Sequence, residues 1–205
     1  MKSECLRIGI SGGTFDPIHH GHLIAAQEIR EKLELDKVIF IPVGDPPHKT
    51  DIEVTASTHR LNMVSKAIEG NSYFEVSSIE VDRPGYTYTI DTLTELKDKY
   101  PENSKFYFII GGDTVPQLVT WKEYRKVFTL CQFVAVMRPG FDSGKIHCEA
   151  RRLEHCFSAK IDFIDAPMIE ISSTDIRKRV RESRSIKYLV PESVEEYIYA
   201  NGLYR

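Results

Sequence analysis

Apolar residues recur along the chain in short blocks bounded by polar or turn-forming ones: Arg7–Ser11, Val38–Val43, Phe74–Val81, Phe106–Ile110, Phe133–Met137 and Ile161–Ile164. Blocks of this length and apolar content suit the buried strands of a parallel sheet. Between them the spacing changes to three or four. Leu23, Ala26, Ile29 and Leu33 follow the first block, Leu61, Val64 and Ile68 the second, and Ile90, Leu93 and Leu96 the third. That period predicts amphipathic helices. Alternating strands and helices imply right-handed crossovers, so the sequence predicts a Rossmann-like α/β fold with a doubly wound parallel sheet.

The tail breaks this pattern. From Ile169 onward two helices and no strand are expected, one starting near Ser172–Thr174 and one running from Pro191 to Gly202. Residues 1–168 are therefore read as the Rossmann-like core. Residues 169–205 are read as a small C-terminal helical subdomain that completes its site within a single compact unit.

Composition narrows the class. With 205 residues, 41% of them hydrophobic, the chain can bury a sizeable core. A net charge of −3 argues against a nucleic-acid coat or a membrane-surface role. No apolar run approaches the roughly 18 residues of a membrane span, and the start of the chain carries no export signal. Four scattered cysteines, with no C-x-x-C pair, read as reduced thiols in a cytoplasmic protein.

The first strand ends in Gly12-Gly13-Thr14-Phe15-Asp16-Pro17-Ile18-His19-His20-Gly21-His22. In an open parallel sheet, ligands bind beyond the carboxyl ends of the strands. Two glycines there let the backbone approach an anion, and the following helix adds its positive end. His19 and His22 lie three apart and can share one face, while Gly21 leaves room for a ligand and His20 points elsewhere. Asp16 and Pro17 shape the turn or touch the ligand. Neither a G-x-x-x-x-G-K-[ST] loop nor a G-x-G-x-x-G turn is present, which excludes the common kinase, GTPase and dinucleotide loops.

A second anion site is expected at Ile171-Ser172-Ser173-Thr174-Asp175-Ile176-Arg177, where hydroxyls suit a helix cap and Arg177 can fork onto phosphate oxygens. Two competing readings are set aside. His147, Cys148, His155 and Cys156 have the wrong spacing for zinc, and the basic run from Arg177 to Arg184 reads as a solvated helix face, not an RNA or DNA site.

The glycine–histidine run together with I-S-S-T-D-I-R resembles the H-x-G-H nucleotidyltransferase superfamily. From end to end the chain is similar to the bacterial nicotinate-nucleotide adenylyltransferase family. Matching pieces are Pro46-Pro47-His48-Lys49, Tyr88-Thr89-Ile90-Asp91-Thr92-Leu93, Gly111-Gly112-Asp113, Trp121, Arg138-Pro139-Gly140, Tyr188-Leu189-Val190-Pro191 and Asn201-Gly202-Leu203-Tyr204. Thr87 stands where a Ser is commoner in that family.

The resemblance implies transfer of AMP from ATP to nicotinate mononucleotide, giving deamido-NAD and pyrophosphate. It implies that His19, His22 and Arg177 act on the phosphates, that Gly12, Gly13, Thr14 and Phe15 line the nucleotide, and that Gly111 and Asp113 sit near the ribose; the charge to be neutralised in such a transfer adds the expectation that His22 is protonated. Ser172 and Ser173 would grip the triphosphate. Lys49, backbone near Thr89, Trp121 and Arg138 would receive the mononucleotide. Mg²⁺ would ride on the ATP phosphates, with no metal ligated by protein alone. Pantetheine-phosphate adenylyltransferase is the neighbouring enzyme reading, and a non-catalytic nucleotide sensor the reading outside enzymes. Acid-versus-amide preference and oligomeric state, a homo-oligomer included, stay open at this point.

Overall fold

The computed structural model describes residues 5–44, 54–137, 143–167 and 169–205. Six strands form one parallel sheet: β1 (Arg7–Gly13), β2 (Lys37–Pro42), β3 (Phe74–Val76), β4 (Lys105–Gly111), β5 (Gln132–Val136) and β6 (Ile161–Ile164). Their spatial order is β3-β2-β1-β4-β5-β6, so the direction of winding reverses between β1 and β4. This is the Rossmann-like doubly wound arrangement, with its crevice at the reversal point.

Period-two alternation sorts the strand residues onto two faces. Ile8, Ile10, Ile39, Ile41, Phe106 and Phe108 belong to one buried cluster. It is covered by α3 (Thr89–Lys99), α4 (Tyr124–Leu130) and α5 (Ser143–Phe157), through residues such as Leu93, Phe128 and Leu153. Val38, Phe40, Phe74, Tyr107, Val134 and Val136 face the other way. They meet α1 (His20–Lys32) and α2 (Ser57–Ile68), and with them α6 (Ser173–Arg181) and α7 (Glu192–Ala200). Ile176, Val180, Val194 and Ile198 of the last two helices are buried in the same cluster as Ala26 and Ile29 of α1. The C-terminal helices thus share the core layer of α1 and α2.

Two details differ from the pattern in the sequence. The third apolar block was expected to be strand from Phe74 to Val81, yet β3 stops at Val76. After the Ser77 amide bonds to the Phe40 carbonyl, the chain turns over the end of the sheet; Asp82 N–H returns to the Ser78 carbonyl, and Ile79 plugs the opposite cluster. Ile79 is buried there without being strand, and Val81 is partly covered. The other difference lies in α2, which buries Arg60, Met63, Val64 and Ile68, leaving Leu61 only partly covered.

Candidate functional site

The carboxyl ends of β1 and β4 open into a cleft of about 740 Å³, with Gly12, Gly13, Thr14 and Phe15 on one lip and Gly111 on the other. The cleft sits where the sheet topology places it. His19, Gly21 and His22 border the same space, as do Thr87, Tyr88, Thr89, Trp121, Lys122 and Ser172.

The histidine pair is organised by the start of α1. His19 is its N-cap, with extended backbone, and His22 occupies the third helical position. The His19 backbone N–H donates to Nδ1 of His22 at 3.2 Å. An imidazole nitrogen that accepts a hydrogen bond carries no proton, so the ring proton of His22 resides on Nε2. The two rings stack with centroids 3.7 Å apart, a spacing at which two imidazolium charges would repel. This geometry presents Nε2–H as the ring donor of His22, which borders the cleft. Phe15 meets the same ring edge-on at 5.1 Å and is itself buried, held in the left-handed region at φ 48°. That conformation costs a non-glycine residue roughly 1–2 kcal/mol. Gly21 has a packing reason too, since a Cβ there would come within 3.1 Å of the His19 ring.

The second expected anion site lies beside the first. Ser172 caps α6, its hydroxyl accepting the Asp175 N–H at 3.1 Å, and it borders the cleft. Ser173 and Arg177 turn toward the loop that follows β1. The Ser173 hydroxyl donates to the Pro17 carbonyl at 2.9 Å, and Arg177 Nη1 donates to the Asp16 carbonyl at 2.6 Å. Neither borders the cleft, so both meet the chain that carries His19 and do not form part of its wall. Asp113 likewise lies outside the lining, in the 3₁₀ segment Gly112–Thr120, whereas Gly111 and Thr114 line it. His20 is not among the lining residues. Lys49, with Pro46-Pro47-His48, and Arg138, with Pro139-Gly140, lie outside the described residues.

Opposite the histidines, Trp121 follows the 3₁₀ segment, with Phe108 and Phe133 against it edge-on at 5.8 and 6.0 Å. Thr89 begins α3 at the cleft; its N-cap Tyr88 supplies no side-chain bond, the Tyr88 carbonyl accepts the Asp91 and Thr92 N–H groups, and the positive end of the helix borders the cavity. Lys122 lies over the Tyr88 ring at 4.2 Å and 3.7 Å from Asp91.

Two buried charged residues escaped the sequence reading. Glu80 lines the cleft and accepts from the Thr92 hydroxyl at 2.7 Å. Burial pushes its carboxyl above the usual range, against the pull of that hydroxyl and of the Arg83 and Arg60 charges. Arg60 is only 1% exposed; its guanidinium donates to the carbonyls of Thr55 (2.8 Å), Thr14 (2.8 Å) and Gly44 (2.9 Å). No sequence signal marks it, because one arginine in an amphipathic helix normally faces water. Gly44 is required beside it, since a Cβ would fall 2.2 Å from the Glu80 carbonyl oxygen.

Among the described residues no group of three or more His, Cys, Asp or Glu side chains could hold a metal ion, and no helix is long and apolar enough to cross a membrane.

Residues 10–179 match the cytidylyltransferase-like family. A probable nicotinate-nucleotide adenylyltransferase of a Thermoanaerobacter species is 50% identical over 205 residues, covering 100% of this chain and 97% of the relative. One from Desulfitobacterium hafniense is 49% identical over 199 residues, covering 97% and 96%. Among solved structures, the Plasmodium falciparum nicotinic acid mononucleotide adenylyltransferase complexed with NaAD superposes with a TM-score of 0.78 at 24% identity, covering 97% of each chain. The same enzyme complexed with APC gives 0.76.

Proposed function

The chain belongs to the nicotinate-nucleotide adenylyltransferase family, and from that premise we propose how its own residues move AMP from ATP to nicotinate mononucleotide. The reaction is a step of NAD biosynthesis; ATP and the mononucleotide are the substrates, and deamido-NAD and pyrophosphate are the products.

The attacking group is a phosphate monoester, whose second pKa of about 6 leaves it mostly dianionic at neutral pH. It needs no general base. Its oxygen forms a bond to the α-phosphorus of ATP, the bond from that phosphorus to the bridging oxygen breaks, and pyrophosphate leaves with the electron pair. What the protein must supply is alignment and stabilisation of charge on the α-phosphate and the leaving group.

ATP lies along Gly12–Phe15, with its adenosine toward Gly111 and its phosphates at the start of α1. The Nε2–H of His22 meets an oxygen of the α-phosphate, and His19 holds the neighbouring phosphate. Ser172 and the amides of α6 close on the triphosphate from the other side. Arg177, bonded to the Asp16 carbonyl, brings positive charge to that end. The pyridine ring stacks on Trp121, and its carboxylate meets the first amides of α3 near Thr89. Lys49 and Arg138 are proposed to complete the mononucleotide end, and Asp113 the ribose end.

The donors along the cleft, imidazole and backbone amide, suit phosphate oxygens, so a divalent cation fits this site as a passenger on ATP. Mg²⁺ bound to the triphosphate would add neutralisation of the leaving pyrophosphate. Substrates of this kind, and four cysteines that are free thiols, suit the cytoplasm.

One observation carries the reading: the histidine pair and Trp121, far apart in sequence, border one cavity at the β1–β4 reversal. The test is pyrophosphate release from ATP with nicotinate mononucleotide, nicotinamide mononucleotide or phosphopantetheine as acceptor. Release with the nicotinate acceptor at the highest kcat/KM supports the assignment; highest efficiency with phosphopantetheine, or no release with any acceptor, overturns it.

A further inference from the structure

The segment after α7 ends against the loop that carries His19, a contact no step of the mechanism above uses. Tyr204 packs on the α1/α2/α6/α7 core, and its hydroxyl donates to Oδ1 of Asp16 at 2.7 Å. Asp16 is buried, only 5% exposed, and lies three residues before the α1 N-cap. Its other carboxylate oxygen accepts the Thr55 N–H at 3.3 Å, and its carbonyl accepts from Arg177. Three segments remote in sequence therefore converge on one residue: Thr55 ahead of α2, Arg177 of α6 and Tyr204 beyond α7.

A buried carboxylate needs its donors; losing one leaves an acceptor that must turn elsewhere or draw in water. Either response moves the Asp16 side chain, and with it the short rigid run Pro17-Ile18 that sets where His19 and His22 stand. Pro17 and Ile18 are buried and cannot absorb the movement locally.

The geometry points to Tyr204 as a positioning residue for the ATP-phosphate end of the cleft, acting through Asp16 and touching neither substrate. This rests on the assignment of that end to ATP. Tyr204→Phe keeps the ring and removes only the hydroxyl. Misplacing a preorganised donor by a fraction of an ångström lowers kcat by about tenfold. The KM for ATP rises several-fold, the KM for nicotinate mononucleotide stays at the wild-type value, and the melting temperature falls by only a few degrees. A merely structural hydroxyl would reduce the folded fraction and leave both KM values unchanged.

The deciding experiment is steady-state kinetics with both substrates varied, together with calorimetric ATP binding, on wild type, Tyr204→Phe, Asp16→Asn and the double variant. Weakened ATP binding in Tyr204→Phe, with little further loss when the substitution is made in Asp16→Asn, supports the coupling. Unchanged ATP affinity, or fully additive losses in the double variant, overturns it. If Tyr204→Phe fails to fold, Asp16→Asn must itself weaken ATP binding while sparing mononucleotide binding, or the idea falls. Wild-type protein that binds ATP but releases no pyrophosphate would sink the functional assignment and leave this coupling measurable by ATP binding alone.

Discussion

The backbone N–H of His19 points at Nδ1 of His22 across 3.2 Å, and this one bond decides which proton the second histidine can offer. With Nδ1 accepting, Nε2 is the donor, and the His19 ring stacked against it fixes the plane in which that donor lies. A donor fixed at the helix start needs no reorganisation as charge builds on a phosphate oxygen beside it.

His22→Ala is therefore expected to lower kcat by roughly two to four decades, the range seen when a preorganised donor to a developing charge is removed. The circular dichroism spectrum should be preserved, because the ring is only partly buried. Turnover within a few-fold of wild type would remove His22 from the reaction.

At the other end of the cleft, Trp121→Ala should raise the KM for the mononucleotide by about ten- to a hundredfold, the scale of losing one ring stack. The KM for ATP should change little. Phe108 and Phe133 lean on the same indole, so a drop in melting temperature accompanies the change and does not itself report on stacking. Kinetics with each substrate varied separately decide the point; an effect confined to ATP contradicts the role of Trp121.

How much of this was legible in the chain depends on what kind of signal each residue leaves. Strands buried on both faces leave continuous apolar runs, and all six blocks contain one. Length differs most for β3, where Ile79 and Val81 look like strand residues but belong to a turn across the sheet edge. The glycine–histidine loop was visible because a motif preserves local spacing, whereas Trp121 stood out only through the family resemblance. Side-chain direction was not. Nothing in the sequence says that Arg177 and Ser173 reach the Asp16 and Pro17 carbonyls, or that Asp113 stays off the cleft wall, since such choices depend on tertiary approach. Buried charge was invisible as well: Arg60 and Glu80 read as surface residues until their partners were in place.

Arg60 offers a stability test of that last point. Its guanidinium ties Thr14, in the glycine loop, to Gly44 and Thr55. Arg60→Met keeps much of the volume but strands three carbonyl acceptors, a loss on the order of 3–5 kcal/mol. At about 2–4 °C per kcal/mol for a chain of this size, thermal melts should fall by roughly 6–20 °C. Arg60→Lys should recover only part of it, because a point charge cannot serve three carbonyls in a fork. A melt unchanged by Arg60→Met would mean that these bonds contribute nothing net.

Glu80 supplies a pH test whose sign follows from its surroundings. Burial raises its carboxyl pKa above the value of an unfolded glutamate, about 4.3, while Thr92, Thr87, Arg83 and Arg60 oppose that shift without cancelling it. A raised native pKa means that the folded state favours the protonated acid. The associated stability is present below the unfolded pKa and is lost as pH climbs through the native one. Glu80→Gln carries a neutral group at every pH and still offers an oxygen to the Thr92 hydroxyl. The difference in melting temperature, variant minus wild type, should therefore become more favourable to the variant as pH rises from about 4, and level off once native Glu80 is ionised. Each pKa unit of raised value corresponds to about 1.4 kcal/mol, or roughly 3–6 °C. Thermal melts across that range decide between two opposed fields. A difference that moves against the variant as pH rises would show that the two arginines outweigh burial and that the native protein holds Glu80 as a stabilised anion.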